Sequence, residues 1–211
     1  MNGNSYDNSI ATSYRSNGAE LSNYNWILQY KISMKAKFKN EHIIYFILFR
    51  RVMGFEPLMV YIGEFGIIFL ISSRPHQIIK YKFAREVEYL RKNISKPIYF
   101  VNYATTLEQV ILSLFSDVRV HDMHCTIEGY LEGFEEEDHG VAIENPYTHK
   151  MEIERDLSTL HIGTKANPVS IFIHMDDRQI PIALGKGGQY IHLVNEFLKD
   201  WFGYYRIYVR S

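Results

Sequence analysis

Apolar residues recur along this chain in two registers, one with helical spacing and one in short unbroken runs, and the two alternate. From Asn40 the residues Ile43, Ile44, Ile47 and Leu48 fall on one stripe, with Asn40 as N-cap and Gly54 as the stop, which predicts a helix. Leu58 to Ile62 and Ile67 to Ile71 follow as apolar runs of strand length, joined by the tight connection Gly63-Glu64-Phe65-Gly66. Ala84 to Ile94 returns to helical spacing through Val87, Leu90 and Ile94, and Pro97 blocks continuation before the strand Ile98 to Val101. These elements predict one compact α/β unit.

A second set follows. Thr105-Thr106-Leu107-Glu108 has the pattern of a capping box, and Leu107, Val110, Ile111, Leu114 and Phe115 form an apolar stripe behind it. Val118 to Leu131 reads as extended, with Val169 to Met175 as its partner strand, Ile171 and Ile173 lying on one face. Between them, residues 132–167 carry the acidic run Glu135 to Asp138 and the turn signals Asn145-Pro146 and Asn167-Pro168, which predict an exposed excursion. Gln189 to Phe202 is a helix by the spacing of Ile191, Val194, Leu198 and Trp201, with Gly203 as C-cap before the strand Tyr205 to Val209. The order strand, short helix, loop, longer helix, strand therefore occurs twice, from Ile67 to Val101 and from Val169 to Val209.

Composition limits what these units can be. A chain of 211 residues, 46% hydrophobic, can bury one or two modest cores, so two small domains with a tail fit best. The tail is residues 1–33, rich in Asn, Ser, Gly and Tyr and without apolar periodicity until Trp26, Ile27 and Leu28. It reads as an extended arm that does not fold alone. Asp7, Glu20 and the scarcity of Arg make it a poor transit sequence, and it lacks the apolar core of a secretory signal. A formal net charge of −1 argues against non-specific duplex binding, so any nucleic-acid contact must be local. Cys125 is the only cysteine, which excludes an intrachain disulfide and a Cys-rich zinc module and suits an intracellular, reducing compartment. The longest apolar run, Ile43 to Phe49, is far short of a membrane span, so no membrane partner is expected.

Against that near-neutral background one motif stands out, Gly185-Lys186-Gly187-Gly188. Glycines on either side of Lys186 permit backbone angles that a Cβ forbids and let the main chain approach phosphate oxygens. The helix that begins at Gln189 supplies free amides and a positive dipole end, while Lys186 adds a mobile charge. Ile180, Ile182, Leu184 and Ile191 are candidates for the floor of an adjoining groove. The tetrad also fits a plain helix–helix turn. A Walker loop is excluded, since position 188 is Gly and no Ser follows. In the first copy the same place falls at Tyr81-Lys82-Phe83-Ala84, where the lysine remains without glycines.

The segment from Ile180 to Leu193 resembles the second KH domain of NusA transcription factors, and Phe197 to Gly203 resembles the archaeal form of that family. Phe46 to Phe49 with Gly54, then Ile68 to Ile71, Val101 to Tyr103 and Leu114 to Val120 fall in the order of the first archaeal KH domain. The resemblance spans about residues 34–131 and 168–209 and is densest at the C-terminus. It implies an α+β fold of two tandem type II KH domains, α-β-β-α-α-β, with the arm at 1–33, domain 1 at 34–104 and domain 2 at 105–211 carrying the insert 132–167. It implies a non-enzymatic RNA-binding factor of transcription elongation, termination or antitermination, needing no cofactor. In such domains the glycine loop clamps about four nucleotides of single-stranded RNA. The RNA contacts it implies are Gly185, Lys186, Gly187, Gly188, Gln189, Ile182, Leu184 and Ile191, with Lys82 at the degenerate first loop. Residues 1–33 and 132–167, lacking basic charge, are expected to hold protein partners such as RNA polymerase or another large assembly.

Other constellations carry less. His121, His124 and Cys125 could suggest a metal site, but on a strand His124 faces away from the other two, so no metal is expected. Asp176 and Asp177 are expected to cap the short helix before the glycine loop. No nucleophile and base share a distinctive spacing. An alternative function is a structural or assembly component of a ribosome-like particle, though the arm lacks the basic character such tails usually have.

Overall fold

The computed structural model describes residues 27–28, 39–72, 76–127, 141–144, 151–154 and 162–211. The arm outside Ile27 and Leu28, and most of the acidic excursion, lie outside these residues. Helix α1 (Asn40–Met53) leads into strands β1 (Met59–Ile62) and β2 (Ile67–Ile71), helices α2 (His76–Lys82) and α3 (Ala84–Asn93), and strand β3 (Ile98–Asn102). Helix α4 (Leu107–Leu114), strand β4 (Asp122–Ile127), the hairpin β5 (Val141–Glu144) and β6 (Met151–Glu154), strand β7 (Val169–His174), helices α5 (Ile180–Leu184) and α6 (Gln189–Trp201), and strand β8 (Tyr205–Arg210) complete the chain. The fold is α+β. Each half holds a three-stranded sheet in which the first pair is antiparallel and the second parallel: β1-β2-β3 and β4-β7-β8. The repeated order predicted from the sequence thus returns as a repeated topology.

Several local expectations are corrected. Lys39, not Asn40, is the N-cap of α1, and its backbone N–H donates to Nδ1 of His42 at 2.8 Å. The expected core stripe of that helix faces outward: Ile43, Ile44 and Ile47 are 50%, 66% and 58% exposed, while His42, Phe49 and Met53 are buried. Phe49 wins the core position because its ring meets three others, Phe55, Phe69 and Phe100. Gly54 does end the helix, at φ 72°. The cap of α4 is Thr106, whose hydroxyl accepts from the Gln109 amide, one residue later than the capping-box pattern suggested. Val118 to His121 are not strand; β4 begins at Asp122.

β2 has no polar face. Its five residues are all buried, because the first sheet is covered on both sides. Val60, Ile67, Phe69, Ile71, Ile98 and Phe100 join Phe49, Ile79, Val87 and Leu90 from α1, α2 and α3 in one core. Tyr61, Ile68, Leu70 and Val101, on the other side, join Leu107, Val110 and Ile111 of α4 and Leu193 and Phe197 of α6. The same second core takes in Cys125, Ile171, Ile173 and Ile207 from the inward face of the β4-β7-β8 sheet, and Ile27 and Leu28 from the arm. Helices α4 and α6 therefore lie between two sheets. Gly63 and Gly66 allow the β1–β2 turn to press on α6, since a Cβ at either would fall 2.4 or 2.8 Å from a Leu193 methyl.

The excursion is shorter than predicted. Ile162 and Asn167 bridge, the Gly163 carbonyl accepts from the Tyr204 amide at 2.7 Å, and the Gly163 Cα lies so close to the Tyr205 ring that a Cβ there would be 2.6 Å from it. Residues 162–168 belong to the folded unit, leaving 132–161 as the insert.

Candidate nucleic-acid interface

The glycine loop is built by the geometry of a helix that stops and another that starts within four residues. Gln179 precedes α5, Pro181 stands in its first turn where a missing amide costs nothing, and Gly185 ends it at φ 73°, ψ 176°. Lys186–Gly188 form one tight 3-10 turn, closed by the Gly188 amide donating to the Gly185 carbonyl at 3.1 Å. Gly187 (φ 59°) and Gly188 (φ 77°) are both left-handed. The three glycines differ in their surroundings. A Cβ at Gly185 would lie 2.6 Å from the Cβ of Tyr190, whereas Cβ atoms at Gly187 and Gly188 would meet nothing within 4 Å.

Tyr190 fixes this joint from beneath. Its hydroxyl donates to the Leu114 carbonyl on α4, and its ring packs on Tyr99 of β3 at 4.6 Å and on Phe115 at 6.0 Å. Burial, reinforced by the neighbouring Tyr99 and Asp117, pushes its phenol pKa well up, so it stays a neutral donor. Above it Lys186 and Gln189 are exposed. Gly188, the N-cap of the 13-residue α6, has no side chain to accept from first-turn amides, and no acidic residue stands in that turn. The loop thus presents backbone donors, a helix dipole and one ammonium on a rigid base. That is a combination suited to an anion.

Of the apolar groove candidates, Ile182 is 58% exposed and Leu184 half-buried, whereas Ile180 and Ile191 pack partly against the second core. Asp176 does not cap α5: its carboxylate pairs with His121 Nε2 at 3.1 Å, and the α5 N-cap, Gln179, makes no side-chain cap. Instead the Gln179 side-chain carbonyl accepts from the Arg119 amide at 3.0 Å. That bond holds the Arg119 backbone at the start of α5, a helix that spans only about 8 Å, and the side chains of Arg119 and of Arg178, which precedes Gln179, are both exposed. Sequence reasoning missed Arg119, because only the pairing of β4 with β7 brings it across.

Lys82 stands apart from this set. It ends α2 on the first unit, and a single residue, Phe83 at φ −116°, joins α2 to α3. The Phe83 ring packs on Phe55 at 5.7 Å, and Glu86 occupies the first turn of α3. An apolar ring and an acid fill the place where the second unit has a glycine cradle. The two loops are therefore unequal in anion chemistry.

His124 and Cys125 lie on opposite faces of β4, with Cys125 fully buried and its thiol pKa pushed up to about 12 by that burial. Among the described residues, Glu64, His192 and Glu196 offer ligand atoms within 4.8 Å of one another. They sit where the β1–β2 turn meets α6, with His192 Nε2 3.4 Å from a Glu196 oxygen and the Glu64 amide donating to the other oxygen at 3.4 Å. Lys96 Nζ, donating to the Gly63 carbonyl at 2.8 Å, puts an ammonium at the same turn and opposes a divalent ion there.

Among the described residues, no helix is long and apolar enough to cross a membrane. No protein-family model matches the chain, and no curated protein does. Among solved structures the chain is similar in fold to the one described as "Crystal structure of APE1850", with a TM-score of 0.53 at 19% identity over 82% of this chain and 100% of that one.

Proposed function

We propose that this chain is a single-stranded RNA-binding factor of NusA type, made of two tandem type II KH domains, with the Gly185-Lys186-Gly187-Gly188 loop as its principal RNA contact. The observation that carries this reading is the loop itself: three glycines of positive φ around an exposed lysine, at the uncapped start of a long helix, anchored below by Tyr190. The twice-repeated α-β-β-α-α-β order supports the tandem assignment. Phosphate oxygens meet the loop amides and Lys186, and bases lie toward Ile182 and Leu184. The first unit, with Phe83 in place of the cradle, contributes weakly. Protein contacts with RNA polymerase or another large assembly fall to the arm and the insert, neither of which is basic.

Gly187→Asp tests this reading. A Cβ there meets nothing, so the fold should lose only the roughly 1–2 kcal/mol of a left-handed non-glycine residue, while a carboxylate at the phosphate position should weaken single-stranded RNA binding tenfold or more. Unchanged affinity in a fluorescence titration would refute the site. In the same assay Lys186→Ala should weaken binding several-fold and Lys82→Ala much less; equal losses would show the two loops to be equivalent.

A further inference from the structure

The β4-β7-β8 sheet turns Cys125, Ile171, Ile173 and Ile207 toward the helices and the alternate positions outward. The strand register places the outward residues in three rows. His124, Phe172 and Tyr208 form the middle row, with Asp122, His174 and Arg210 on one side and Thr126, Arg206 and the buried Ser170 (3% exposed) on the other. The middle row is a continuous run of parallel rings: His124 to Phe172 at 5.1 Å and 23°, then Phe172 to Tyr208 at 5.3 Å and 20°. His174 extends it, stacked on His124 at 5.2 Å. Arg210 lies over the Phe172 ring at 3.9 Å and Arg206 over Tyr208 at 5.3 Å. Both arginines are exposed and belong to one edge strand.

Cross-strand ring pairs stabilise many sheets without binding anything. Here two further facts matter. No ion pair to a described carboxylate holds either guanidinium, although the chain as a whole is slightly acidic. Among the described side chains of the face the one acid, Asp122, is at the corner opposite Arg206 and close to His124, 3.9 Å away, and a Ser211 backbone oxygen lies 3.2 Å from His174 Nδ1. Planar cations stacked on rings, beside more rings, match a polyanion whose monomers also carry flat apolar groups. Paired bases hide their π-faces in a duplex, so unpaired ones are the fit.

We infer that this sheet face, with its half-buried rings and exposed arginines, is a second binding surface for single-stranded nucleic acid, on the side of the sheet away from the glycine loop. Bases stack on the His124, Phe172 and Tyr208 rings, and Arg206 and Arg210 meet the phosphates on either side. The inference does not depend on the loop, and the test keeps the two apart.

The test uses the full chain and a labelled oligouridine of about 12 nucleotides, within the span such surfaces occupy, titrated at several salt concentrations. Arg206→Gln with Arg210→Gln should lower the slope of log affinity against log salt by about 1.4, which is about 0.7 for each lost phosphate contact. Phe172→Leu and Tyr208→Leu should each weaken binding about tenfold at an unchanged thermal midpoint. Should either ring variant fail to fold, the arginine pair carries the test alone, since both side chains are exposed. The three variants are repeated with Gly187→Asp. Loss in the face variants with none in Gly187→Asp would uphold this surface and reject the loop. Affinity and slope unchanged in the arginine pair would overturn the inference, as would retained RNA binding with loss of a co-purifying protein.

Discussion

At the scale of single residues, the glycine loop separates two demands that the letters G-K-G-G do not distinguish. Gly185 is held by both a positive φ and contact with Tyr190, whereas Gly187 needs only its φ. Gly185→Ala should therefore cost about 2–4 kcal/mol in urea unfolding, from strain and displacement of Tyr190, and Gly187→Ala only about 1 kcal/mol. Equal costs would remove Tyr190 from its anchoring role. Two histidines set a pH dependence of known sign. Burial, then the neighbouring His174, lowers the pKa of His124; burial, then Lys39, lowers that of His42, whose Nδ1 must stay an acceptor for the Lys39 amide. A lowered folded pKa means that the unfolded chain takes up protons first. Stability is then full above the ordinary value of 6.5 and declines as pH falls from there toward the depressed values. Thermal midpoints measured between about pH 5 and 8 should fall toward acid, and His42→Gln with His124→Phe should flatten that fall.

At the scale of elements, the helices and strands were legible wherever the apolar pattern was unambiguous, and so were the loop and its repeat. The β2 and α3 spans, Gly54 as a stop and the inward pairing of Ile171 with Ile173 all follow from spacing alone. What spacing could not decide was which face of α1 turns inward. Ile43, Ile44 and Ile47 outnumber Phe49 and Met53, yet the ring cluster around Phe69 and Phe100 selects Phe49. Nor could spacing show that β2 is covered twice, or that Leu193 and Phe197 give α6 a second apolar face, because both depend on the other half of the chain. Ile44→Lys should accordingly change unfolding free energy by less than about 0.5 kcal/mol, while Phe49→Ala should cost about 3–5 kcal/mol. A large effect of Ile44→Lys would mean that α1 buries its outer stripe against something after all.

At the scale of the whole molecule, the two halves share a core, and this decides where the chain tolerates change. The Tyr61 hydroxyl donates to Asp200 at 3.0 Å and its ring meets Phe197 and Trp201, so α6 serves the first sheet as much as its own. The insert between β4 and β7 is different, because the two strands pair in register from Asp122 with His174 to Ile127 with Val169. Replacing residues 132–161 by a short Gly-Ser linker should leave stability nearly unchanged, since closure entropy grows only slowly with loop length. Extending the deletion to 167 should cost about 1–3 kcal/mol. It removes the Gly163 carbonyl from the Tyr204 amide, uncovers the Tyr205 ring and takes away Ile162, which packs on the shared core. Urea unfolding of the two deletions measures this difference. The shorter deletion also removes the acidic run Glu135 to Asp138, so RNA affinity should hold or rise slightly while retention of protein partners from the native source falls. Lost RNA binding with partners retained would reverse the division of labour, giving the insert to RNA and the paired units to protein.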